Sequence, residues 1–115
     1  MRRSFAAGSP QRLEKMQTIA DSLSPPFTTP LAFALCRRHI DELVTVGDDQ
    51  LRRAMGLMFR ELKLAVEPAG AAATAALRGP LKGKLAGKRV GLIVCGSNID
   101  IDSFAQHVRA GEASH

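Results

Sequence analysis

The chain has 115 residues, 45% of them hydrophobic, with 16 Lys and Arg against 11 Asp and Glu and a net charge of +5. That supports one compact domain or a piece of a larger one, and the lack of Trp and Tyr removes the aromatic platforms on which nucleic-acid modules stack bases. Two Cys at unrelated spacing form neither a disulfide framework nor a zinc site, which points to a reducing, cytoplasmic setting, and no apolar run approaches the roughly 20 residues of a membrane span.

In chain order, MRRSFAAG is basic without a long apolar stretch and does not read as a signal peptide. Residues 1–17 are expected to be an irregular lead-in, broken by Gly8 and Pro10, with at most a short helix over Gln11–Gln17. Met1 followed at once by such a segment implies a chain that starts mid-domain. In Ser22–Pro30 (SLSPPFTTP), three prolines fix φ and remove donors, so a rigid loop is expected. Thr29 can cap a helix with Pro30 in its first position, and Leu31–His39 carries the helical pattern. Cys36 in that helix reads as a small packing thiol, because no His–Asp pairing surrounds it.

Glu42–Val46 (ELVTV) has the composition of a short strand, ended by Gly47. Asp48 or Asp49 then opens the longest helix, with its carboxylate near the positive end of the helix dipole. Leu51, Met55, Met58, Leu62 and Val66 form one apolar stripe, Leu57 and Leu64 a narrower second one, and Arg52, Arg53, Arg60 and Lys63 a solvated face. Glu67-Pro68 breaks the pattern, and Ala69–Leu77 (AGAAATAAL) resumes it with almost nothing but small side chains. A helix so thin lets a neighbouring backbone or a flat ligand approach closely. Glu67, near its start, is explained structurally by the dipole alone. Pro80–Lys88 (PLKGKLAGK) is a basic, Gly-punctuated connector that reads as a solvated loop.

The stretch most suggestive of a site is Arg89–Asp102 (RVGLIVCGSNIDID). Its apolar run Val90–Val94 fits a strand buried on both faces of a parallel sheet. In such sheets ligands bind beyond the carboxyl ends of strands, which sets Cys95 at the rim of a crevice, and Gly96 admits a close approach. Asp102–Arg109 is helical in pattern, and residues 110–115 are expected to be a frayed tail. The order of elements makes the chain α/β, although two strands are a poor sheet without neighbours.

Three segments in register resemble one family. Thr18–Leu23 (TIADSL), Lys63–Ala72 (KLAVEPAGAA) and Val90–Asp100 (VGLIVCGSNID) look like the C-terminal part of the pyridoxal-phosphate-dependent serine/threonine dehydratases, of the tryptophan-synthase-β-like class, which also contains serine racemases. IDELVTVGDDQLRRAMGLMFRELK resembles the family's approach to the EPAGA segment, so the resemblance runs from about residue 4 to residue 109. It implies an incomplete parallel-sheet fold flanked by helices, with residues 1–115 as a single segment, the C-terminal part of the pyridoxal-phosphate-dependent catalytic domain. It implies pyridoxal 5'-phosphate as the cofactor of the complete enzyme. It also implies that the Cys95 side chain meets the cofactor's pyridine nitrogen, that Glu67 lies close to the ring, and that Ser22, often Gly in relatives, offers its backbone nearby. Gly96, Ser97 and Asn98 match the family's SGGN turn, with Ser97 in place of the second Gly.

The family's Schiff-base lysine, in an S-x-K-x-R-G context, and its Gly-rich phosphate loop have no counterpart here, and the five lysines stand in other contexts. No catalytic residue and no metal ligand is therefore expected in this chain. The expectation is the C-terminal piece of a lyase that converts L-threonine or L-serine to a 2-oxo acid and ammonia, inactive alone, whether truncated or split from its other part. Its partners would be the amino-acid substrate of the complete enzyme and an N-terminal complementary fragment or further copies, with no nucleic acid and no membrane. The alternative is a non-enzymatic interaction or regulatory module derived from the same fold.

Overall fold

A computed structural model describes residues 1–15 and 17–113 of the chain, which divide into two units, Met1–Leu43 and Val44–His115. Each is built on helices, and each is described by itself.

In the first unit, α1 (Arg2–Ala7) ends at Gly8, which takes the left-handed conformation at φ 71°. The irregular lead-in expected over residues 1–17 thus contains a helix. Its cause is tertiary: Phe5 packs edge-on against Phe33 with centroids 5.9 Å apart, and the buried Ser4 hydroxyl accepts a 2.9 Å hydrogen bond from the Gln11 amide. No helix forms among the described residues of 11–17; instead Arg12 makes an isolated antiparallel bridge with Phe27, and its guanidinium lies over that ring. Asp21–Leu23 is one turn of 3₁₀ helix. The proline-rich loop leads to α2 (Pro30–His39), where Thr29 Oγ1 accepts from the Ala32 amide at 3.2 Å and Pro30 occupies the first turn, as the sequence requires.

The second unit is organised on α3 (Asp48–Leu62). Gln50 Oε1 accepts from the Gly47 amide at 2.9 Å, half of a capping box, and Asp48 and Asp49 lie in the first turn. Leu51, Met55 and Met58 of the expected stripe are fully buried. Leu62, the fourth member, is 60% exposed, because the helix stops there and Lys63 turns left-handed at φ 57°. Val66 regains the core from the following segment, beside the 3₁₀ turn Ala69–Ala71 and α4 (Ala72–Arg78). Ala71 and Ala75 are buried, so the small-residue helix serves the close packing its composition allows.

α5 (Ile101–Ala113) lies across α3. Phe104 meets Phe59 edge-on at 5.3 Å, and Arg60 pairs with Glu112 at 2.8 Å. A Cβ on Gly111 would sit 2.6 Å from the Arg52 carbonyl carbon, so the two helices touch backbone to backbone there. Residues 110–113 are accordingly helical rather than frayed, because they have this surface to pack on; Ser114 and His115 lie outside the described residues.

The strands expected over Glu42–Val46 and Val90–Val94 do not form: among the described residues there is no strand ladder. The parallel sheet is therefore not seen, and the visible architecture is helical. A strand is a pairing rather than a local conformation, and a parallel one needs a neighbour on each edge. Val90–Val94 has none among the described residues, and Ile93 is 80% exposed.

Candidate functional site

Two segments of the second unit, far apart in sequence, meet backbone to backbone. One is Glu67–Ala71, the bend between α3 and α4; the other is Cys95–Gly96, the end of the apolar run. The Glu67 amide donates to the Gly96 carbonyl at 3.2 Å. A Cβ on Gly70 would overlap the Cys95 carbonyl oxygen and lie 2.7 Å from that of Gly96. Gly96 itself takes φ 85°, a conformation L side chains rarely adopt, and a Cβ there would overlap the Glu67 carboxylate. Glycine at 70 lets the two backbones close this far, and glycine at 96 takes the left-handed turn and leaves room for the Glu67 carboxylate.

The apposition fixes the surrounding groups. Cys95 is an exposed free thiol, Glu67 is half-buried with Oε1 against Gly96, and Pro68 and Gly70 beneath them are buried. After Gly96 the chain turns tightly, the Ile99 amide donating to Ser97 O at 2.9 Å, and enters α5. Asp100 caps that helix: its Oδ1 accepts from the Ser103 amide at 2.9 Å. That backbone bond, followed by the Ser103 hydroxyl, holds the Asp100 carboxyl below its ordinary value of 3.8. A depressed carboxyl stabilises the folded chain above the ordinary value, and the contribution is lost as pH falls through the folded one. At neutral pH, Asp100→Ala is expected to melt below the wild type and Asp100→Asn to match it, since Asn caps as well. Below pH 3.8 the wild type should approach the Ala variant while Asp100→Asn holds its advantage, as melting curves at the two pH values will read.

Of the four residues that the sequence nominates, the fold therefore joins Glu67, Cys95 and Gly96 in one wall. Ser22 lies in the first unit, exposed in the 3₁₀ turn, where its amide donates to Asp21 Oδ1 at 2.7 Å. The sequence reading passes over Gly70, although a lone glycine inside a run of alanines signals a place where a methyl group does not fit.

A family model described as "Pyridoxal-phosphate dependent enzyme" matches residues 1–96. The chain belongs to this family. Its members are pyridoxal-phosphate dependent; the glycine faces at 70 and 96 are filled by the chain's own carbonyls and the Glu67 carboxylate, and the exposed Cys95 thiol is the group left open beside them for such a ring to meet. The chain is 56% identical to a phenylserine dehydratase of Ralstonia pickettii over 96% of its own length and 34% of that enzyme's. It is 30% identical to an L-threonine ammonia-lyase of Thermotoga maritima, over 94% of this chain and 26% of the relative. Among solved structures, a maize serine racemase aligns with TM-score 0.78 and 33% identity, over 93% of this chain and 35% of the racemase. The chain thus spans about a third of the length of the dehydratase and the racemase it matches. The backbone follows that of the racemase over the aligned part, although no ladder forms among the described residues here. No helix of the described residues is long and apolar enough to cross a membrane.

Proposed function

We propose that this chain forms the C-terminal wall of the cofactor pocket in a pyridoxal-phosphate-dependent lyase. The lyase converts a β-hydroxy amino acid, of the L-threonine or L-serine type, into a 2-oxo acid and ammonia. The observation that carries the reading is the glycine-dependent contact of Glu67–Gly70 with Cys95–Gly96 in a chain of this family. When bound, the cofactor supplies an electron sink for charge developing at the substrate's α-carbon. The family resemblance implies that the Cys95 thiol would meet the pyridine nitrogen; a thiol there, unlike a carboxylate, would leave the sink moderate, which suits expulsion of a β-hydroxyl. By the same resemblance Glu67 would lie close to the ring; its backbone is tied to Gly96. The family resemblance gives the Ser22 backbone a place near the cofactor.

The lysine and the phosphate cradle come from a complementary N-terminal part of the fold, which also supplies neighbours for the exposed run Val90–Val94. A second reading, a non-enzymatic interaction or regulatory module, is favoured by the absence of an S-x-K-x-R-G lysine and of a Gly-rich loop from the sequence.

The test compares the chain alone with a chimera in which it replaces the matching segment of the Ralstonia pickettii dehydratase. With cofactor and L-threonine, L-serine or phenylserine, the chain alone is expected to release no 2-oxo acid above the cofactor-only background. The soluble chimera is expected to turn over at least one of the three substrates. Turnover by the isolated chain overturns its expected inactivity; a folded chimera that turns over none of them supports the module reading.

A further inference from the structure

Away from the Glu67–Cys95 wall, and sharing no residue with it, the second unit contains a cleft of about 240 Å³ between α3, the end of α4 and α5. It is lined in part by Gln50, Arg52, Arg53, Arg60, Arg78 and Glu112. We propose that this cleft binds a small polyvalent oxyanion, of phosphoryl or polycarboxylate type.

Charge is the first argument. Four arginines line the cleft against one acidic residue, and like charges gathered round one concavity favour an anion there. Nearby carboxylates hold Arg52 and Arg60 without exhausting them. Arg52 meets Asp49 at 2.7 Å and Arg60 meets Glu112 at 2.8 Å, each through a single Nη1. A guanidinium has five N–H donors, so most remain available, and the pairs pre-set the direction of the forks. Arg78 has no ion-pair partner among the described residues. It ends α4, where a cation also meets the negative end of the helix dipole.

Shape is the second argument. Three glycines, Gly56, Gly79 and Gly111, line the cleft, so its walls there are bare backbone. A Cβ on Gly56 would lie 3.1 Å from Arg60 Nη1, and one on Gly79 3.0 Å from the Ala75 carbonyl. The volume is that of about eight water molecules at ~30 Å³ each, below the ~300–1,000 Å³ of drug-sized sites. An anion the size of pyrophosphate or citrate fits; an extended polyanion would bridge the mouth without using the concavity. Bidentate arginine recognition serves phosphoryl and carboxylate oxygens alike.

The test titrates the 115-residue chain with pyrophosphate and, separately, with citrate at about 0.1 M ionic strength, where exposed charges more than ~10 Å apart are largely screened. Calorimetry is expected to show saturable one-to-one binding, weakened at least tenfold by Arg78→Gln and unchanged by Arg89→Gln outside the cleft. Binding of pyrophosphate alone identifies a phosphoryl ligand, and binding of citrate alone a polycarboxylate. If Arg78→Gln proves unfolded by circular dichroism, the arginine side-chain N–H signals of the ¹⁵N-labelled wild type decide instead. Shifts confined to Arg52, Arg53, Arg60 and Arg78 support the site. Failure of both anions to saturate, equal weakening by the two variants, or shifts spread evenly over all arginines overturns it.

Discussion

Gly70→Ala is expected to lower the melting temperature of the chain by roughly 10 °C, the consequence of about 3 kcal/mol in a domain of this size. The new methyl group would meet the carbonyl oxygens of Cys95 and Gly96, which are backbone and cannot swing aside as a side chain can. The two segments would have to part, breaking the hydrogen bond from the Glu67 amide to Gly96. Gly96→Ala should act differently. Its Cβ meets the flexible end of Glu67, so the side chain is displaced while the backbone bears about 1–2 kcal/mol of left-handed strain. Gly83→Ala is the control: nothing lies within 4 Å of a Cβ there, and its φ is not positive. It should leave the transition within about 0.5 kcal/mol or raise it slightly by restricting the unfolded chain. Circular-dichroism melts of the three variants check the order, and a Gly70→Ala curve superposing on the wild type would remove the argument for a closed wall.

Replacing Cys95 by Asp in the active chimera is expected to reduce kcat at least tenfold, about 1.4 kcal/mol in the barrier, whereas Cys95→Ser should stay within about threefold. On the proposed placement, a thiol or a hydroxyl would not hold a proton on the pyridine nitrogen, whereas a carboxylate would, deepening the sink beyond what elimination needs. The exposed position of Cys95 allows either substitution without a packing cost, so both variants should melt with the parent. Cys36→Ser, a half-buried thiol in α2, should change stability and leave kcat as it was. Equal kcat for the Asp and Ser variants would show that Cys95 does not face the ring nitrogen.

Much of the wall is legible in the sequence, because its chemistry is written in short motifs. EPAGA and VCGSN are distinctive in residue type and spacing, and in register with TIADSL they carry the family on their own. The helices that begin at Pro30 and Asp48 are equally plain, since a cap residue, a first-turn proline or acid, and an apolar stripe are local signals. Local signals mislead where the outcome depends on a distant surface. Arg2–Ala7 is too short to read as a helix by its own residues, and Phe33 holds it in one. The tail beyond Arg109 reads as frayed because nothing in its own residues reveals the bare backbone of α3 beneath Gly111.

Sequence alone therefore determined the family, the cofactor that the family uses, the helical pattern of α2 and α3, and the nomination of Glu67, Cys95 and Gly96. Those properties reside in residue identity and near-neighbour spacing. The tertiary structure alone decided that Gly70 is the residue on which the wall closes, that four arginines from α3 and α4 line one cleft, and that Val90–Val94 makes no strand here. Each of these depends on segments that are remote in the chain, or on a partner strand that is not seen among the described residues. A contact or a ladder belongs to two pieces of backbone at once, and a one-dimensional pattern describes only one of them.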